Sequence, residues 1–190
     1  NDEDAEPEQL TYSARLYSPV YMVETNQIAA INMYDGTSNI LLSDADSIDF
    51  KPITRFYNGI YMPSLSWDGE KLYADAIIHQ TRDLYSIDLE TGELIPEIKN
   101  DWDERSLFFR NKANIYTRDK SGIFNLYYSN GNRNGYITNV PGGAFMPSIS
   151  NEGRVLYSEY KNGGYKIAII DSIQFMNESK VGYREDYWMQ

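Results

Sequence analysis

The chain has 190 residues, no Cys and a formal net charge of −11. The charge disfavours nucleic acid and anionic membrane surfaces as partners, and the lack of Cys removes disulfides and thiol chemistry. No apolar run of about 18 residues is present, so direct membrane insertion as a helix is not expected.

Residues 1–8, Asn1 to Glu8, read as an acidic leader or linker. Glu8-Gln9-Leu10-Thr11 reads as an orphan outer strand, set at 9–11. A first four-stranded unit is expected over 16–54, with Gln27 to Tyr34 as a strand that stops at the turn Asp35-Gly36. A second spans 60–98, with strands near 60–67, 72–79, 83–88 and 94–98. A third, 104–138, opens with a strand near 105–110, and a fourth, 145–171, offers three strands and no convincing outer one. Residues 172–190 are a surface tail or a linker to a following domain. Seventeen Tyr, and Asp-Gly, Glu-Gly and Asn-Gly turns between short apolar runs, favour strands throughout. The region 87–98 comes nearest to a helical period, but Thr91-Gly92 and Pro96 interrupt it.

These units repeat. Met62-Pro63-Ser64-Leu65-Ser66 returns as Met146-Pro147-Ser148-Ile149-Ser150, 84 positions on. Ile53-Thr54 returns as Ile137-Thr138 and Leu72-Tyr73 as Leu156-Tyr157 at the same offset. Asp83-Leu84-Tyr85 and Asn125-Leu126-Tyr127 are 42 apart, so the period is half of 84. Pro19, Pro63 and Pro147 keep the beat. A period near 42 filled with strands denotes propeller blades. The fold class expected is all-β: a β-propeller of about four antiparallel blades, either partial or closed by its own N-terminal strand.

Ser66-Trp67-Asp68-Gly69-Glu70-Lys71 resembles the Ser-Pro-Asp-Gly-Lys hairpin of TolB-like, WD-repeat-like bacterial propeller repeats. The stretches Ser121 to Tyr127, Tyr136 to Val140 and Gly142 to Ser150 resemble them more closely. Trp67 and Asn151-Glu152 stand where the repeat has Pro and Asp, so those hairpins need other support. The resemblance covers about residues 10–171. It implies a segment of a larger, exported, periplasmic or envelope protein, and a protein or peptide partner. It equally admits the gating propeller of a serine peptidase.

Catalytic chemistry finds little purchase. His79 is the sole His, at a strand end before a turn, and no Gly-x-Ser-x-Gly elbow accompanies it. No zinc set, phosphate loop or other cofactor site is expected. Asp44 to Asp49 is the densest acidic loop; it lacks the glycine and terminal Glu of an EF-hand and reads as solvated, with calcium as the alternative. Trp102, in Asp101-Trp102-Asp103-Glu104, suits either a core plug or a sugar-stacking platform; a glycan-acting version needs two channel carboxylates about 5–9.5 Å apart. The expected partner-binding rim comprises Phe56, Tyr57, Asn58, Trp102 and Lys120, with Pro141 to Gly143 beside them. The preferred function is a non-catalytic interaction or scaffolding module. Open blade edges invite self-association or neighbouring blades.

Overall fold

A computed structural model describes residues 6–182. Four antiparallel sheets follow one another along the chain. The first holds β1 (Leu16–Met22), β2 (Gln27–Tyr34), β3 (Thr37–Asp44) and β4 (Lys51–Pro52). The second holds β5 (Tyr61–Trp67), β6 (Leu72–Ile78), β7 (Thr81–Ile87) and β8 (Leu94–Ile98). The third holds β9 (Glu104–Arg110), β10 (Ala113–Arg118), β11 (Asn125–Ser129) and β12 (Asn134–Tyr136). The fourth has three strands, β13 (Ala144–Ile149), β14 (Val155–Lys161) and β15 (Gly164–Ile170). Each sheet is a meander in which sequence neighbours pair, the local connectivity of a propeller blade. No helix among the described residues is long and apolar enough to cross a membrane.

The recurrent Pro marks a structural device. The first strand of every blade carries a register shift, between Tyr17 and Val20, Tyr61 and Ser64, Arg105 and Phe108, and Phe145 and Ser148. Pro19, Pro63 and Pro147 lie inside three of these bulges, where a ladder N–H is not required. Ser18, Ser106 and Met146 adopt positive φ there.

A second device ties the outer strand down. In the first blade Asn39 Oδ1 accepts from Thr54 Oγ1 (3.0 Å) and Phe56 N (2.7 Å), while Thr54 Oγ1 accepts from Ile40 N (2.8 Å). In the third blade Asn125 Oδ1 accepts from Thr138 Oγ1 (3.0 Å) and Val140 N (2.9 Å), and Thr138 Oγ1 from Leu126 N (2.8 Å). Asp83 occupies the same position in the second blade and accepts from Asn100 N. The fourth blade has no such carboxylate or amide on β15.

Two separate cores result. One joins blades one and two through Ile31, Ile40, Met62 and Leu72; the other joins blades three and four through Ile115, Leu126, Ile149 and Val155. Between blades two and three the contact mixes buried ion pairs with an apolar patch. Tyr73 stacks on Phe109 at 4.6 Å beside a cavity of about 160 Å³ lined by Leu84, Leu107 and Tyr116.

Two sequence expectations are corrected. The orphan strand at 8–11 is not formed. Leu10 is its sole large apolar residue and is exposed, and Gln9 bonds only locally to Thr11 O; too little is buried to offset the entropy of ordering the segment. The fourth blade therefore gains no strand from it. Leu72-Tyr73 and Leu156-Tyr157 are not equivalent either. Leu65 pairs with Ala74, but Ile149 pairs with Val155. The hairpin of blade four is thus three residues shorter, so Leu156 is exposed where Leu72 is buried. The Trp67 hairpin does find its other support, from Trp67 Nε1 to Glu24 Oε2 at 2.6 Å.

Candidate functional site

The loops after the second strand of each blade meet the linkers between blades on one rim. Ser38 N donates to Ile60 O and Gly59 N to Thr37 Oγ1 at the first junction. Asp119 N donates to Asp103 O, and Asp103 N to Asp119 Oδ1, at the second. Ala144 N donates to Phe124 O, and Tyr160 N to Gly143 O, at the third. The rim is therefore stitched mainly by backbone groups, with Thr37 and Asp119 as side-chain acceptors.

Tyr57 is 88% exposed and Asn58 is exposed beside it. Phe56 is half-buried against the first core, so it supports the loop and presents little surface. Trp102 is 41% exposed and belongs to neither core, which removes the plug role; its backbone N is fixed by Asn100 Oδ1. Lys120 donates to Glu178 Oε1 at 2.8 Å, so its charge is committed to the tail. No hydrogen bond or ring contact joins Tyr57, Trp102 and Lys120 to one another. Tyr34, 81% exposed at the end of β2, stands next to this rim and escaped the sequence reading. It resembles any other strand Tyr until the position of the turn is known.

The junction of blades two and three holds the densest buried charge. Asp75, its side chain fully buried, pairs with Arg82 and also accepts from Ser64 N, Ser64 Oγ and Ser106 N. Glu104, fully buried, accepts from Asn100 Nδ2 at 3.0 Å, and Arg118 Nε lies 3.0 Å away as an ion-pair partner. Burial raises the Glu104 carboxyl above its ordinary range, opposed by the Asn100 and Arg118 contacts. Its Oε2 has no hydrogen-bond partner among the described residues. Arg105 bonds Asp103 and lies over the Phe124 ring at 4.0 Å. Asp75 and Asp83 are thus held by structural bonds, and Glu104 is the single carboxylate of the group with a spare oxygen.

Elsewhere His79 is exposed at a positive-φ turn. In the 44–49 loop Asp46 accepts from Asn26 and Asp49 pairs with Lys51. Among the described residues no three His, Asp or Glu side chains converge as a metal set. After β15 the chain returns to blade three: Met176 N donates to Tyr136 O and Asn139 Nδ2 to Lys180 O. The rest of the expected tail, 183–190, and the first part of the leader, 1–5, lie outside the described residues.

No family model matches the sequence, and no curated protein aligns with it. Solved structures do. TolB from Acinetobacter baumannii superposes with a TM-score of 0.69 at 20% identity, covering 88% of this chain and 44% of that one. Puromycin hydrolase gives 0.64 at 10% identity, covering 80% and 26%. The β-propeller domain of the Trilobed protease from Pyrococcus furiosus gives 0.54 at 15%, covering 83% and 67%. The chain thus spans less than half the length of the Acinetobacter protein. Its fold is that of a segment of a TolB-like β-propeller.

Proposed function

We propose that this chain is a non-catalytic interaction module that captures a protein or peptide on the rim carrying Tyr34, Tyr57 and Trp102. The observation that carries the reading is the placement of exposed aromatic side chains on backbone-stitched loops, outside both cores. Rigid aromatic anchors of this kind dominate binding surfaces because they contribute area at small entropic cost. The likeness to TolB-like propellers supports an exported, cell-envelope setting for the module. Selection of peptides from a random display library tests it. Enrichment is expected for the wild-type chain and is lost in Tyr57→Ala/Trp102→Ala, with the melting temperature nearly unchanged. Equal enrichment by the variant refutes the assignment, and collapse of melting refutes the placement of these residues outside the core.

A second reading, the propeller part of a hydrolase, is favoured by the fold shared with puromycin hydrolase and the Pyrococcus protease domain. Under it the isolated chain hydrolyses nothing, and the spare oxygen of Glu104 is incidental.

A further inference from the structure

Among the described residues the fourth blade ends on an unpaired edge. β3, β7 and β11 are each flanked by an outer strand, whereas β15 pairs with β14 alone over its full seven residues. The segment that follows it docks on blade three instead. Phe175 packs on Gly135, where a Cβ would lie 3.1 Å from the ring, and its ring is 6.1 Å from Tyr128. Among the described residues nothing bonds the outer edge of β15.

One face of that edge strand carries an apolar row. Tyr165, Ile167 and Ile169 are 66%, 79% and 55% exposed. By the register of their blades Ile40, Leu126 and Ile167 are equivalent, lying opposite Ile31, Thr117 and Ser158. Ile40 and Leu126 are fully buried, whereas Ile167 is bare. β15 has no Pro and a single charge, Lys166, and an apolar edge strand of seven residues is a template for strand addition.

We propose that β15 pairs antiparallel with β15 of a second copy, about a two-fold axis at Ile167, to give one six-stranded sheet across a dimer. The sequence Gly164-Tyr165-Lys166-Ile167-Ala168-Ile169-Ile170 is self-complementary about that point. Tyr165 then faces Ile169 of the other copy, an aromatic against a β-branched residue. Ile167 faces its own counterpart, and Lys166 faces Ala168. A centre at Lys166 sets two ammonium groups against each other, and a centre at Ala168 loses pairs; only Ile167 uses all seven residues without opposing like charges. The same strand serving both partners is what a two-fold interface requires. β15 contains none of the rim residues Tyr34, Tyr57 and Trp102, so either proposal stands or falls without the other.

Sedimentation equilibrium of the full chain, from about 1 to 200 µM, tests it. A reversible monomer–dimer equilibrium is expected. Ile167→Lys, at an exposed position, leaves a monomer over the same range with an unchanged melting temperature. The chain has no native Cys, so register is read by single cysteines. Ile167→Cys cross-links to a dimer on mild oxidation, since directly opposed residues lie within disulfide reach. Tyr165→Cys and Ile169→Cys each stay uncross-linked alone and cross-link when mixed. A wild-type monomer at every concentration, a dimer that survives Ile167→Lys, or equally fast cross-linking of Leu156→Cys on the neighbouring strand each overturns the proposal.

Discussion

Replacing Asn125 by Ala removes the acceptor shared by Thr138 Oγ1 and Val140 N, in a place where Asn125 itself is fully buried. Each buried donor left without a partner costs about 1–3 kcal/mol. Thr138 is 3% exposed and has no solvent to turn to, so the two losses together come to about 2–6 kcal/mol. For a chain of this length that lowers the melting temperature by about 4–24 °C. Urea unfolding followed by circular dichroism measures it, with the slope unchanged. Asn39→Ala should lose a similar amount, because the first blade repeats the arrangement bond for bond. Thr138→Val orphans Leu126 N, and in a double-mutant cycle it should couple to Asn125→Ala rather than add. A loss below about 0.5 kcal/mol, or strict additivity, refutes the view that this clasp holds the outer strand.

Arg82→Leu leaves the Asp75 carboxylate buried without its cation, and should cost about 3–5 kcal/mol in the same urea assay. Gly92→Ala should cost more than Gly36→Ala. Both sit at positive φ, but a Cβ on Gly92 would lie 2.1 Å from Ile53 O, whereas Gly36 faces open space. Glu178 is held below the usual carboxylate range by its bond from Lys120. Its folded value is depressed, so the tail contact is fully present above the unfolded carboxylate value and is lost as pH falls through the lower, folded one. Hydrogen exchange of residues 173–182 should accelerate there, and Glu178→Gln should abolish the pH response.

The parts of this fold that were legible are those set by local backbone chemistry. Met62-Pro63-Ser64 and its copy stand out because a bulge tolerates Pro and repeats in every blade. Asp68-Gly69 and Glu152-Gly153 mark hairpins for a similar reason. What stayed hidden was set by register between distant strands. Leu156-Tyr157 matched Leu72-Tyr73 by eye, yet a shorter hairpin moved it to the opposite face. Asp75, inside the apolar run Leu72 to Ile78, gives no sign that Arg82 on the next strand will neutralise it. On the rim, Tyr57 was visible because a linker Tyr has no strand to join. Phe56, one position away, is turned toward the core by the bond from its backbone to Asn39. No single-residue pattern separates the two.

The alternation of junctions, dry between blades one and two, charged between two and three, dry again between three and four, sets the grain of the molecule. Each pair of blades shares an apolar cluster and should open as one cooperative unit. The middle junction, with its ion pairs, is where hydrogen exchange should show the two halves parting first. An 84-residue pair, rather than a single 42-residue blade, is then the building block in which strain, salt and denaturant are felt.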